Sequence, residues 1–294
     1  MKIIRLLPML ALSALLFACN NPQPKTVQIA TDTSATVKNN GVHIDYTDTG
    51  AGDTTLLFVH GWCINKSYWA QQVAYFGKRY HVVTMDLAGY GRSGHNRDNW
   101  STDAFASDVN AVIDQLKLKN VVLIGHSMSG DIVLQAAINA PDKVIDLVGV
   151  DNFKGQGAPP QTEAQKKEIA EAIAAMRSDF KKVAFQWFNE GLFSKTTSKP
   201  IKDRILNDVA HADTVAAVAS MEQQAYDELP ALIKLKKKLY LINSDYQPTD
   251  TAWLVKHKLP FMLLDVHGTG HFPMVEAPAE FNQRLDKVLA DLKR

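Results

Sequence analysis

Apolar residues along the chain gather in short, nearly continuous runs: Val42 to Tyr46, Thr55 to Val59, His81 to Met85, Val121 to Ile124, Ile145 to Val150, Leu239 to Ile242 and Phe261 to Asp265. Most are β-branched or Leu-rich, the pattern of strands covered on both faces. Segments with helical spacing lie between them: Trp69 to Phe76, Thr102 to Leu116, Gly130 to Asn139 and Pro278 to Leu292. Strand and helix in alternation predict a mostly parallel α/β sheet with right-handed crossovers. The alternation breaks between Asn152 and about Lys238, where Thr162 to Met176 and Phe180 to Phe188 have Ala- and Glu-rich helical periodicity. An insertion of that length at the C-terminal end of a strand is expected to sit as a helical cap, about residues 152–232, over the crevice where open α/β sheets bind ligands.

The amino-terminal pattern is different. Lys2 and Arg5 precede an apolar run, Leu6 to Phe17, too short to span a membrane and shaped like a signal peptide. It closes in Leu16-Phe17-Ala18-Cys19, which resembles the lipobox of bacterial lipoproteins, where the cysteine becomes the lipidated first residue. Residues 1–19 are therefore expected to be a lipoprotein-type signal peptide. The polar, Pro-containing residues 20–39 are expected to be a flexible tether, and 40–294 the folded domain. The resemblance implies a protein of the bacterial cell envelope, held to membrane by lipid on Cys19.

Composition narrows the function classes. The 294 residues are 46% hydrophobic, enough for one main core, and 32 Lys+Arg against 31 Asp+Glu give a net charge of +1, so no whole-protein field draws in nucleic acid. The basic run Lys234, Lys236, Lys237 and Lys238 reads as a solvated helix end. With Cys19 lipidated, Cys63 has no partner for a disulfide, and no Cys/His cluster has metal-ligand spacing, so neither a metal nor a cofactor is expected. Gly89-Tyr90-Gly91 lacks the lysine of a P-loop and the rest of a dinucleotide fingerprint.

Chemistry concentrates in Leu123-Ile124-Gly125-His126-Ser127-Met128-Ser129-Gly130, where an apolar strand runs through small residues into a helix. That context fits a nucleophile elbow, which strains the serine backbone and demands small residues two before and two after it. Around Ser127 these are Gly125 and Ser129; around Ser129 they are Ser127 and Asp131. The spacing selects Ser127 and leaves Ser129 as a substituted glycine whose hydroxyl bonds nearby backbone.

Three further stretches follow the same order: His60-Gly61-Trp62, Asp86-Leu87-Ala88-Gly89-Tyr90-Gly91-Arg92-Ser93 and Gly270-His271-Phe272-Pro273. Together with the elbow they resemble the α/β-hydrolase family, in its capped esterase and haloperoxidase-like branch, from about Gly41 to the C-terminus. The resemblance implies a doubly wound, mostly parallel eight-stranded sheet with the helical cap inserted after strand 6. It implies Ser127 as nucleophile and His271 as base, since the chain order is Ser, acid, His.

For the acid, Asp245 follows an apolar strand and precedes Pro248 by three residues, while Asn243 stands where a glycine is usual. Asp151, at the end of the preceding strand, is the alternative. Asp265 and Asp86 fit structural places. The resemblance assigns the oxyanion-hole donors to the backbone N–H groups of Trp62 and Met128. Trp187, Phe188 and Phe193 in the cap either line an acyl pocket or pack as core.

The expected activity is cleavage of a small-molecule carboxylic ester through an acyl-enzyme. The same triad suits a carbon–carbon bond hydrolase or an aminopeptidase, and a non-catalytic binding module derived from a hydrolase is a reading of a different class.

Overall fold

The computed structural model describes residues 35–154, 162–223 and 226–293. The signal peptide, the lipobox cysteine and tether residues 20–34 lie outside the described residues. The sheet has eight strands: β1 (Ala35–Asn39), β2 (Val42–Asp48), β3 (Thr55–Val59), β4 (His81–Met85), β5 (Val121–His126), β6 (Val144–Val150), β7 (Leu239–Ser244) and β8 (Phe261–Val266). Their order is β1-β2-β4-β3-β5-β6-β7-β8, antiparallel at β1-β2 and β2-β4 and parallel elsewhere. All seven apolar runs form strands.

The last five residues of the expected tether, Ala35–Asn39, are instead β1. They pair with β2 across a two-residue turn in which Asn40 and Gly41 have φ of +47° and +87°. Such a turn suits the right-handed twist of a hairpin, and Asn-Gly is its usual sequence. Val37 is the β1 residue that buries its side chain.

Helices α1 (Ala70–Phe76), α2 (Thr102–Gln115) and α3 (Ser129–Asn139) connect β3 to β4, β4 to β5 and β5 to β6. The helices α4 (Glu163–Ser178), α5 (Phe180–Trp187), α6 (Lys199–Ala210) and α7 (Thr214–Glu222) fill the gap between β6 and β7, with a π-helical turn at Phe188–Leu192. Then come α8 (Glu228–Leu235), α9 (Ala252–Lys256), α10 (Pro273–Glu276) and α11 (Pro278–Asp291). Helices α2, α3 and α8 pack together as one layer, and α1, α10 and α11 as another. Strands β3, β5 and β7 are buried along their whole length, as expected of central parallel strands between two helical layers.

Candidate active site

At the end of β5 the chain reverses into α3 within two residues, and Ser127 takes φ of +53°, a conformation costly for a side chain with a Cβ. A methyl on Gly125 would sit 2.3 Å from the Ser129 carbonyl oxygen, so the turn closes only over glycine. The Ser127 N–H donates to Val150 O at 3.0 Å, and the Asn152 amide donates to Gly125 O at 2.9 Å. The elbow is thus fastened to the end of β6. Ser129 is fully buried, and its hydroxyl donates to His60 O at 2.5 Å. It holds the elbow to the loop after β3.

The Ser127 hydroxyl donates to His271 Nε2 at 2.7 Å, and His271 Nδ1–H donates to Asp151 Oδ2 at 2.5 Å. Asp245, the acid expected from the motif, does not join them. Its Oδ2 faces His267 Nδ1 at 3.0 Å and its Oδ1 accepts from Gly268 N, also at 3.0 Å. The reason is positional: β7 pairs with β8 through Asn243–Asp265 and Ser244–Val266, and the residue after Ser244 turns toward the loop leaving β8. The alternative, Asp151, is the acid in contact with the imidazole.

Asp151 sits at φ of +49°, with its N–H donating to Ile242 O. Its Oδ1 accepts from Ser244 N at 2.8 Å, from Ser244 Oγ at 2.5 Å and from Lys154 Nζ at 2.6 Å. Burial alone would raise its carboxyl; the bond and charge of His271, together with Lys154, outweigh burial and hold it well below the usual carboxylate range. Lys154 carries no sequence motif. The only hint is its place three residues after Asp151, where the chain leaves β6.

Two other histidines flank the triad without entering it. His126 Nε2–H donates to His271 O at 2.7 Å, and burial, then the neighbouring His271, push its pKa down to about 3, so the ring is neutral. His60 donates from Nδ1 to Gly61 O and accepts Leu87 N–H at Nε2, joining two motif loops. Asp86 accepts from the N–H groups of Lys66 and Arg92, pinning the turn around Gly91. Cys63 is buried, which pushes its thiol up and away from thiolate chemistry. Gly89 and Tyr90 dock the cap: a methyl on Gly89 would meet Ala216, and the Tyr90 hydroxyl bonds Ser220, both on α7.

Above Ser127 and His271 lies a pocket of about 190 Å³, lined also by Trp62, His126, Met128, Trp187, Phe188, Leu192, Met221 and Phe272. Among the described residues its wall carries no Lys, Arg, Asp or Glu. Trp187 and Phe188 line it, whereas Phe193 packs behind Phe188 and Phe272. Leu192 and Met221 are wall residues that sequence reasoning missed, since each looks like any helical apolar position. Trp62 and Met128, the expected oxyanion donors, both border the pocket beside Ser127. A methyl on Gly61 would sit 3.1 Å from Ser127 Cβ, so the Gly61-Trp62 backbone lies directly against the elbow.

The cap is tied to the histidine loop. His271 N–H donates to Leu192 O at 2.9 Å, and Thr197 Oγ1 donates to Glu276, whose carboxylate also takes the N–H groups of Gly270 and Phe272. Gly270 must lack a side chain, because a methyl there would lie 2.7 Å from Leu192 O.

Comparison with known proteins agrees with this fold. The alpha/beta hydrolase fold family matches residues 54–278, and the chain belongs to it. It is an enzyme of that hydrolase family. The 3-oxoadipate enol-lactonase 2 of Acinetobacter baylyi is 25% identical over 254 residues, 84% of this chain and 93% of that protein. The non-heme chloroperoxidase of Burkholderia pyrrocinia is 39% identical over 106 residues, 35% of this chain and 38% of that protein. Among solved structures, a thermophilic esterase from Thermogutta terrifontis has a TM-score of 0.75 at 20% identity, over 88% of this chain and 98% of that one.

Proposed function

We propose that the protein is a serine hydrolase that cleaves a small carboxylic ester whose acyl part is uncharged and apolar. The observation that carries this reading is the unbroken relay from Ser127 Oγ to His271 to Asp151, at 2.7 and 2.5 Å, beneath an apolar pocket. Ser127 attacks the carbonyl carbon as His271 takes its proton. The same imidazolium then protonates the departing alcohol, and water activated by His271 releases the acid. Asp151 holds the imidazole in the tautomer that bears hydrogen on Nδ1 and offsets the charge that develops on it. The N–H groups of Met128 and Trp62 serve the oxyanion, each such donor being worth about 2.7–4 kcal/mol in other acyl-transfer enzymes.

Serine at the elbow disfavours routes through an ester to aspartate. The uncharged wall favours a neutral ester over a substrate carrying its own carboxylate. The test is labelling by a fluorophosphonate, followed by hydrolysis of a series of p-nitrophenyl esters. Wild type and Ser129→Ala should label and Ser127→Ala should not. A label that survives in Ser127→Ala but vanishes in Ser129→Ala overturns the assignment, and an unlabelled wild type favours a binding module. Labelling without ester turnover favours carbon–carbon or amide substrates.

We also propose that the enzyme works in the bacterial cell envelope, anchored through Cys19; the support is the charged start, the apolar run and the Leu-Phe-Ala-Cys ending. Cys19→Ser should move the protein from the membrane fraction to the soluble fraction, and its retention on membranes would count against the anchor.

A further inference from the structure

We propose that Lys154 is a positioning residue of the triad, dividing the Asp151 carboxylate so that one oxygen belongs to the protein frame and the other to His271. The inference rests on the triad reading above and goes beyond it.

The Lys154 ammonium lies 2.6 Å from Asp151 Oδ1 and 3.0 Å from each of Ser244 O, Ser244 Oγ and Gln247 O. Its three protons are therefore engaged by the ends of β6 and β7 and by the loop beyond β7. The side chain is 15% exposed and that of Asp151 only 1%, so water screens the pair weakly. Together with Ser244 N and Ser244 Oγ, Lys154 places three donors on Oδ1, while Oδ2 meets His271 Nδ1. A carboxylate filled on one oxygen cannot swivel, and the imidazole inherits that fixed direction.

The same ammonium changes the charge that His271 feels. A lone buried carboxylate would strongly favour imidazolium. A carboxylate already paired with an ammonium favours it less. The other groups facing His271 are His126 from the end of β5, which is neutral, and Glu276 from α10, whose carboxylate caps the N–H groups of Gly270 and Phe272. From the ends of β7 and β8, Asp245 and His267 pair with each other, Tyr246 sets its ring 5.1 Å from the Lys154 ammonium and donates its hydroxyl to Gly191 O, and the cap contributes Leu192 and Phe188, which carry no charge. Among the described residues, Lys154 is thus the cation placed against the triad acid.

The experiment is the pH dependence, from pH 5 to 9, of p-nitrophenyl butyrate hydrolysis (kcat/KM) and of fluorophosphonate labelling rate, in wild type, Lys154→Met, Lys154→Arg and Asp151→Asn. Removing the ammonium should move the midpoint of the acid limb up by about one pH unit, making Lys154→Met about tenfold slower than wild type well below that midpoint. Lys154→Arg should restore the midpoint even where its bulk lowers the plateau. A merely structural lysine would lower the plateau and leave the midpoint in place, and that outcome overturns the proposal. Labelling counts only folded, competent molecules; if Lys154→Met fails to fold, Lys154→Gln is read in the same way. Asp151→Asn separates the two levels of the argument. Full labelling in Asp151→Asn defeats the triad reading itself, whereas its loss alongside an unmoved Lys154→Met midpoint defeats only the role of Lys154.

Discussion

Strands β6 and β7 run side by side, and each ends in an aspartate within two residues of the sheet, but the two carboxylates live in different media. Asp151, after β6, has a side chain 1% exposed, a left-handed backbone, three donors on one oxygen and an imidazole on the other. Asp245, after β7, is 41% exposed and meets an imidazole that is itself 64% exposed. Drying a carboxylate without partners costs several kcal/mol, so a buried acid persists only where the frame supplies donors in advance. The end of β7 spends its own donors, Ser244 N and Oγ, on the neighbouring strand's aspartate. The buried carboxylate against His271 is therefore built by two strand ends together, one contributing the carboxylate and the other its hydrogen bonds.

Exchanging each carboxylate for an amide tests that contrast most severely. Asp151→Asn should lower kcat about 10⁴-fold, as removal of a triad acid does by leaving the wrong imidazole tautomer. Asp245→Asn should stay within about twofold of wild type. Steady-state hydrolysis of one p-nitrophenyl ester by both variants decides it; a large loss in Asp245→Asn with little in Asp151→Asn would return the role to the end of β7.

Acid should destabilise the dry side of the contrast. His126 is neutral in the fold with its pKa lowered to about 3, so between about pH 6.5 and 3 the unfolded chain binds the extra proton and stability rises with pH. Sign and window follow from the lowered value: the contribution is whole above about 6.5 and is lost as pH falls toward 3. One such proton gives a slope of about 1.4 kcal/mol per pH unit. Asp151, held below the usual carboxylate range, adds a loss in the same direction at still lower pH. Urea unfolding between pH 7 and 4 should show the slope, and His126→Gln should flatten it. An equal slope in the variant would mean that another group dominates.

How much of this was legible in the chain follows from how local each determinant is. The elbow was legible because its sterics act within five residues, Gly125 to Ser129, and the strands because continuous apolar runs announce burial on both faces. Strand β1 is hidden by its polar composition, although Asn40-Gly41 carries the hairpin signal and Val37 is its one inward anchor. Which aspartate meets His271 was not legible. Both aspartates satisfy the required chain order, and what separates them is donation from Ser244, 93 residues beyond Asp151 in sequence, which no local motif records. The same holds for the pocket wall: Trp187 and Phe188 face the cavity and Phe193 does not, a distinction set by the π-helical turn that lies between Trp187 and Phe193.

The smallest expected effect sharpens the contrast from its wet side. Asp245 and His267 form a 3.0 Å pair that looks as good on distance as many buried ones. Exposure should make it nearly worthless: water competes for both partners, salt screens them, and ordering two side chains offsets the attraction. A double-mutant cycle over Asp245→Ala, His267→Ala and the pair should give a coupling below about 0.5 kcal/mol by urea unfolding. Asp245→Ala alone should cost about 1 kcal/mol, because it also removes the acceptor for Gly268 N–H. A coupling of 2 kcal/mol or more would mean that the loop after β8 shields the pair from water far better than its exposure indicates, and that the ends of β6 and β7 are less different than their accessibilities make them.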